Sequence, residues 1–168
     1  MVTAGLTIVS GGQTGVDRGA LEGARAAGLV TGGWCPRGRR AEDGTIPAGF
    51  GLQETGQDDY DTRTRRNVRD SDGTLLIGFG PLSGGSALTV EACRALGRPL
   101  LVLDAERSGP EAAAPLADIL AFLVAHRIRV LNVAGPRESE APGARSWARR
   151  YLVRLAAALS ENTVRTPT

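Results

Sequence analysis

The chain contains no lysine: all 20 basic residues among its 168 are arginine. That removes Schiff-base chemistry, a side-chain amine base and the lysine of a P-loop. Any cationic grip on an oxyanion falls to the guanidinium, which binds such groups bidentately. A base-composition bias in the genome is enough to explain the absence. Cys35 and Cys93 are too few and too far apart for a zinc motif or a disulfide framework. Cys93 falls in a helical pattern and reads as core. Cys35 falls in a loop, as a free thiol or a residue without a role. The one histidine, His126, sits near a helix end as a partner for the dipole, and no nucleophile-elbow motif accompanies it. Aromatics make up 4%, so the core must come from Leu, Val, Ile and Ala. Sparse rings, no basic stripe and a net charge of +2 argue against nucleic-acid binding. No apolar run approaches the roughly 18 residues of a membrane span, and no signal-peptide pattern is present. A cytoplasmic protein with no membrane partner is expected.

What the sequence does have is glycine in two particular places. Gly11-Gly12-Gln13-Thr14-Gly15-Val16-Asp17 follows the apolar run Leu6–Val9, and Gly80-Pro81-Leu82-Ser83-Gly84-Gly85-Ser86 follows Thr74–Phe79. Each turn opens a segment with helical periodicity. A strand, a bare-backbone turn and a helix N-terminus form an anion site, because free N–H groups and the helix dipole favour negative charge. Two such turns with hydroxyls and an Asp suggest a phosphate-bearing ligand. Steric need alone is the competing reading.

Apolar runs alternate with helical patterns along the chain. Strands are expected at Thr7–Ser10, Leu29–Gly32, Thr74–Phe79, Leu100–Leu103 and Arg129–Val133. Helices are expected at Val16–Ala27, Tyr60–Arg69, Ser86–Leu96, Pro115–His126 and Ala144–Ser160. This βα alternation predicts one Rossmann-like α/β domain over residues 1–160, with 161–168 as a frayed tail. It is a three-layer sandwich with a mainly parallel sheet of about five strands. In the order 2-1-3-4-5 the first and third strands are neighbours, both glycine turns face the crevice between them, and the turn Ala134–Glu138 borders it. Residues 33–58 lack periodicity, which predicts a functional loop or lid. The arginines at its two ends either clamp ligand phosphates or pair with Glu42, Asp43, Asp58, Asp59 and Asp61.

Four blocks carry a resemblance: GGQTGVDRGAL (Gly11–Leu21), TGGWCPRGRRAED (Thr31–Asp43), TRTRRNVRDSD (Thr62–Asp72) and GPLSGGSALTVE (Gly80–Glu91). Together they resemble the molybdenum-carrier family, which is similar to the molybdenum cofactor carrier proteins of algae and bacteria. Its wider superfamily includes lysine-decarboxylase-like phosphoribohydrolases and the DNA-processing protein DprA. The resemblance implies a carrier for the molybdenum cofactor (molybdopterin) or a related phosphorylated pterin or nucleotide-like molecule. The metal would be held only by the cofactor's own dithiolene, with no metal ligated directly by the protein. A homo-oligomer, dimer or tetramer, is expected. The superfamily's hydrolases carry Pro-Gly-Gly-x-Gly-Thr-x-x-Glu. Here Ser83–Glu91 keeps the two glycines and Glu91 but not the leading Pro, the third Gly or the Thr. The alternative is therefore a nucleotide N-glycosidic hydrolase with Glu91 as its catalytic carboxylate, or a sensor of a nucleotide-derived ligand.

The expected ligand-binding residues are Gly11, Gly12, Gln13, Thr14, Gly15, Asp17 and Arg18 in the first turn and its helix. Trp34, Arg37 and Arg39 come from the second block, Arg65 and Asn67 from the third, and Ser83, Gly84, Gly85 and Ser86 from the fourth. Asp17 is either a dipole-stabilised helix-start acid or an acceptor for a ribose hydroxyl or pterin N–H. A carboxylate would repel the phosphate itself, so Asp17 belongs beside the neutral part of the ligand. Trp34 either stacks on a flat ring or packs the lid onto the core.

Overall fold

The computed structural model of the chain describes residues 5–164. The elements run β1 (Thr7–Val9), α1 (Val16–Ala26), β2 (Val30–Cys35), a 3-10 turn (Arg37–Arg39), β3 (Arg40–Ala41), β4 (Gly44–Thr45), β5 (Leu52–Glu54) and α2 (Tyr60–Arg69). They continue with β6 (Gly73–Gly78), α3 (Gly84–Leu96), β7 (Leu100–Asp104), α4 (Ala113–Ala125), β8 (Val130–Ala134) and α5 (Ala144–Val164). Local chemistry accounts for several boundaries. The Asp59 carboxylate accepts a 2.6 Å hydrogen bond from the Thr62 N–H and so caps α2. Gly97, left-handed at φ 61°, ends α3. Every residue of β6 is buried, as a continuous apolar run covered on both faces should be.

Six strands form one sheet in the order β5-β2-β1-β8-β6-β7, and every pairing is parallel. Helices α1, α4 and α5 share the larger core on one face, where the buried Tyr151 hydroxyl donates to the Pro115 carbonyl at 2.7 Å. Helices α2 and α3 cover the other face through Val68, Ala92 and Cys93. This is the expected Rossmann-like three-layer α/β fold, with one strand more than expected.

The strand order differs from 2-1-3-4-5. β8 lies between β1 and β6, with Thr7 opposite Val130 on one side and Gly73 opposite Leu131 on the other. Chain order misleads here because the last βα unit occupies the centre of the sheet. Read with β8–α5 placed first, the five longer-range strands run 3-2-1-4-5, the dinucleotide-binding order. The reversal point therefore falls between β8 and β6.

Residues 33–58 are not an unstructured lid. They hold the end of β2, the 3-10 turn, the β3–β4 hairpin and β5, packed around Cys35, Ala41, Ile46 and Phe50 with Leu21 of α1. The pattern escaped periodicity because each piece is only two or three residues long. Cys35 is accordingly a buried strand residue rather than a loop thiol, and Cys93 is buried as expected. Helix α5 runs past the expected boundary at Ser160 to Val164, and 165–168 fall outside the described residues.

α5 is seated on α1 with almost no space between backbones. A Cβ on Gly19 or Gly23 would overlap the carbonyl oxygen of Arg145 or Arg149. Arg145 also donates to the Glu22 carboxylate, at 2.9 Å from Nε. Gly19→Ala should therefore lower the free energy of unfolding by about 1–3 kcal/mol, despite a gain of roughly 1 kcal/mol in helix propensity. Gly56→Ala, where a Cβ meets nothing within 4 Å, should be close to neutral. Urea denaturation of the two variants reads the difference.

Candidate functional site

At the carboxyl edge of the sheet, a cleft of about 260 Å³ opens where β8 meets its neighbours. Gly11, Gln13 and Asp17 form one wall, and Gly84, Gly85, Ser86 and Thr89 of α3 form another. Tyr60, Asp61, Arg63, Thr64 and Asn67 of α2 close one side. Asn132–Gly135, Arg137 and Glu140 form the floor and far rim. The two glycine turns thus share a cleft without touching as neighbours, because the end of β8 separates them.

The turns are alike in composition but differ in what faces them. In the first, a Cβ on Gly11 would run into the Arg63 guanidinium, and one on Gly12 would lie 2.7 Å from Leu52 Cδ1. Gly15, at φ 76°, lies under the backbone of Pro136–Glu138. Protein packing fills the space those glycines leave. In the second turn, a Cβ on Gly85 meets nothing within 4 Å. Ser83 caps α3 by position only, with no side-chain hydrogen bond. The Ser86 N–H donates to the Ser83 carbonyl at 3.1 Å, so the open bare backbone of the cleft is at Gly84 and Gly85, the first two residues of α3. Ser83 itself lines a small adjoining recess with Pro81, Leu82 and Pro136.

A buried ion pair crosses the cleft. Arg63 Nη1 donates to the Gly11 carbonyl at 2.7 Å and stands 3.9 Å from Asp17 Oδ2. Both side chains are over nine-tenths buried. Burial pushes the Asp17 carboxyl above its ordinary 3.8, and Arg63, with the Gln13 backbone N–H, the Ser10 hydroxyl and the Gly11 backbone N–H, offsets this only in part. Burial likewise pulls the Arg63 guanidinium below its usual range. Above this pair the Tyr60 ring is flanked by three guanidiniums, those of Arg137, Arg63 and Arg40, at 4.8, 5.3 and 5.5 Å from its centroid.

The β3–β4 hairpin is bolted onto the first turn. The Gln13 Oε1 accepts from the Thr14 N–H at 3.0 Å and the Glu42 N–H at 2.9 Å. The Glu42 carboxylate accepts from the Thr14 hydroxyl and, at 2.6 Å, from the Ser139 hydroxyl. Arg18 donates to both oxygens of Asp43, at 3.1 and 3.2 Å, and to the Gly12 carbonyl at 3.1 Å.

The other expected ligand-binding residues are placed elsewhere. Thr14 and Arg18 hold the hairpin and do not line the cleft. Arg39 donates to the Ile46 and Pro47 carbonyls, and Arg37 is exposed. Trp34 lines a separate hollow, donates from Nε1 to Asp70 at 2.8 Å, and lies under the Arg66 guanidinium. Asn67 brackets the Trp34 backbone, accepting from its N–H and donating to its carbonyl, and borders both hollows. Arg65 pairs with Glu91 at 3.3 Å on the outer surface, where Glu91 is two-thirds exposed.

Sequence reasoning passed over Arg63, Tyr60 and Thr64 in favour of Arg65. Helical spacing held the signal: 60, 63, 64 and 67 are i, i+3, i+4 and i+7, one face of α2, whereas 65 lies off that face. Arg137 lies in the turn Ala134–Glu138 expected to border the crevice but was not singled out, and Asn132 gave no signal, because nothing local says that β8 is central.

An open parallel α/β sheet with its cleft at the point of strand reversal defines a Rossmann-like domain. More narrowly, the chain belongs to the Circularly permutated YpsA SLOG family, whose model matches residues 8–156. The displaced β8–α5 unit agrees with that description. A solved structure from Syntrophus aciditrophicus, named "Putative molybdenum carrier protein", is 43% identical with a TM-score of 0.85. The match covers 92% of this chain and 96% of that one. No curated protein matches this chain. Among the described residues, no helix is long and apolar enough to cross a membrane.

The hairpin clamp is open to a direct test. Burial opposes ionisation of Glu42, but hydrogen bonds from Ser139 and Thr14 outweigh it and hold the carboxyl below its ordinary 4.5. The stabilisation it provides is therefore complete above pH 4.5 and is lost as the pH falls through the lower folded value. Glu42→Gln at neutral pH should reproduce that loss locally. Amide exchange across residues 40–46 should accelerate about tenfold while exchange in β6 and β8 stays unchanged.

Proposed function

We propose that the cleft binds a phosphorylated heterocycle and that the chain is a carrier for it, with the molybdenum cofactor as the ligand. The observation that carries this reading is the open backbone of Gly84 and Gly85 at the N-terminus of α3, facing a cleft that also holds Arg63 and Arg137. Helix N–H groups and guanidiniums are the natural partners of a phosphate. The name of the 43% identical relative supports the choice of ligand.

The described residues fit such a group. The phosphate would meet the α3 N-terminus and Arg137, and the heterocycle would lie against Gln13, Asp17 and the Tyr60 side. In this reading the metal is held by the cofactor's own dithiolene. A cleft of about 260 Å³, near the lower end of the roughly 300–1,000 Å³ of small-molecule sites, suits one ring system and its phosphate better than a dinucleotide.

Glu91 bears on the hydrolase alternative. Its carboxylate is exposed, paired with Arg65, and does not line the cleft. A general base must come within hydrogen-bond reach of its proton, directly or through one water. This favours the carrier over the N-glycosidic hydrolase. Assembly into a homodimer or tetramer is part of the same reading.

Native mass spectrometry of the protein from a cofactor-producing host should show a bound pterin phosphate and report the subunit number together. Gly85→Val should keep the fold, since its Cβ points into open space, and lose at least about tenfold in affinity by blocking the α3 amides. Neither the wild type nor Glu91→Gln should release base from nucleoside monophosphates. Base release by the wild type that is abolished in Glu91→Gln would overturn the carrier reading.

A further inference from the structure

Gln13 is 4% exposed and lines the cleft, yet its Nε2 is buried without a hydrogen-bond partner, the one such side-chain atom among the described residues. Its orientation is not arbitrary. Oε1 accepts from two backbone N–H groups, those of Thr14 and Glu42, so a flipped amide would set donor against donor twice. A buried amide donor left unanswered is costly, and native proteins seldom leave one so without a reason. Asp17 lies on the same wall, with its nearest cation, Arg63, at 3.9 Å, beyond hydrogen-bond length.

We infer that Gln13 and Asp17 together read the ring edge of the ligand. Gln13 Nε2 donates to a ring carbonyl or ring nitrogen, and the Asp17 carboxylate accepts from the neighbouring N–H. The class selected is a heterocycle with an amide- or amidine-type edge, one acceptor beside one donor, as in guanine and pterin rings. The inference rests on the proposed phosphate site at α3, which fixes the ligand's other end. A phosphate cannot take the Gln13 end, because the Asp17 carboxylate would repel it. The two ends are held apart by β8, since the β1–α1 turn and the α3 N-terminus lie on its opposite sides.

Isothermal titration against three probes tests this. GMP presents the amide edge. Purine riboside 5′-monophosphate has the same sugar phosphate and ring system but neither a ring N–H on that edge nor an exocyclic group. Ribose 5-phosphate has no ring. Wild-type protein should bind GMP at least about tenfold more tightly than purine riboside 5′-monophosphate. Gln13→Glu keeps the shape and the oxygen that serves Thr14 and Glu42 but replaces the donor with an acceptor. It should remove the preference for GMP and leave ribose 5-phosphate affinity unchanged. Equal wild-type affinity for the two nucleotides would overturn the inference, leaving Nε2 to be served by water. So would a Gln13→Glu variant that loses ribose 5-phosphate as steeply as GMP. If that variant does not fold, the wild-type comparison decides alone. If the wild type binds neither GMP nor ribose 5-phosphate, the phosphate site itself fails and the inference falls with it. Binding of ribose 5-phosphate without discrimination between the rings sinks only the inference.

Discussion

The insertion of β8 between β1 and β6 is the constraint around which the rest of the molecule is arranged. The strand pairs on both sides and is covered on both faces, so that Leu131, Asn132 and Val133 are buried. The chain entering and leaving it must then pass through crowded space. Gly135 has room for no side chain, since a Cβ there would lie 2.5 Å from the Ile77 carbonyl oxygen. The following loop crosses Gly15 and the helix after it settles onto Gly19 and Gly23. Gly135 and the two stretches that follow it, which meet the glycines of α1 and its turn, thus pass at backbone contact, and the cleft is the space left beside that path.

The Asp17–Arg63 pair shows the cost of such a site. Two charges are taken out of water at a separation too long for a good hydrogen bond, and burial works against the charged form of each. Stability alone does not call for this arrangement, since buried ion pairs often do no better than apolar residues of the same volume. It is intelligible as a preorganised polar wall, held ready where water would otherwise solvate an incoming group. Polar contacts from Gln13 of the wall and its neighbour Thr14 to Glu42 of the hairpin tie the two together, so the cleft is supported from outside by Glu42, which does not line it.

Much of the fold was legible because it is written in local patterns. Helix α2 has the expected bounds, Tyr60–Arg69, and the main strands fall on continuous apolar runs. Strand order was not legible, because pairing of β1 with β8 joins residues more than 120 positions apart and leaves no local trace. The pieces of residues 33–58 were too short to show a period. The same division holds at the site. Gly11, Gln13, Asp17, Asn67 and Gly84–Ser86 do line the cleft, and all but Asn67 come from the two turns the sequence singled out. Arg65 was preferred to Arg63 although adjacent helix positions point about 100° apart. The glycines of the first turn read as room for a ligand when the room is taken by Arg63, Leu52 and the Pro136 loop.

Because the middle strand of the sheet is encoded near the end of the chain, the order of synthesis and the order of the sheet conflict. During translation β5 with β2 and β1, and β6 with β7, can form as two separate parallel ribbons, with the edges of β1 and β6 left open for β8. They cannot be joined until β8 and α5 have left the ribosome. Pairings across such sequence distances are slow to form, and open strand edges are hazards while they wait. From the completion of β6 until β8 is made, the nascent protein therefore carries two edges waiting for the same strand, and the step that pairs them also creates the cleft. Completion of the sheet and formation of the cleft become a single event.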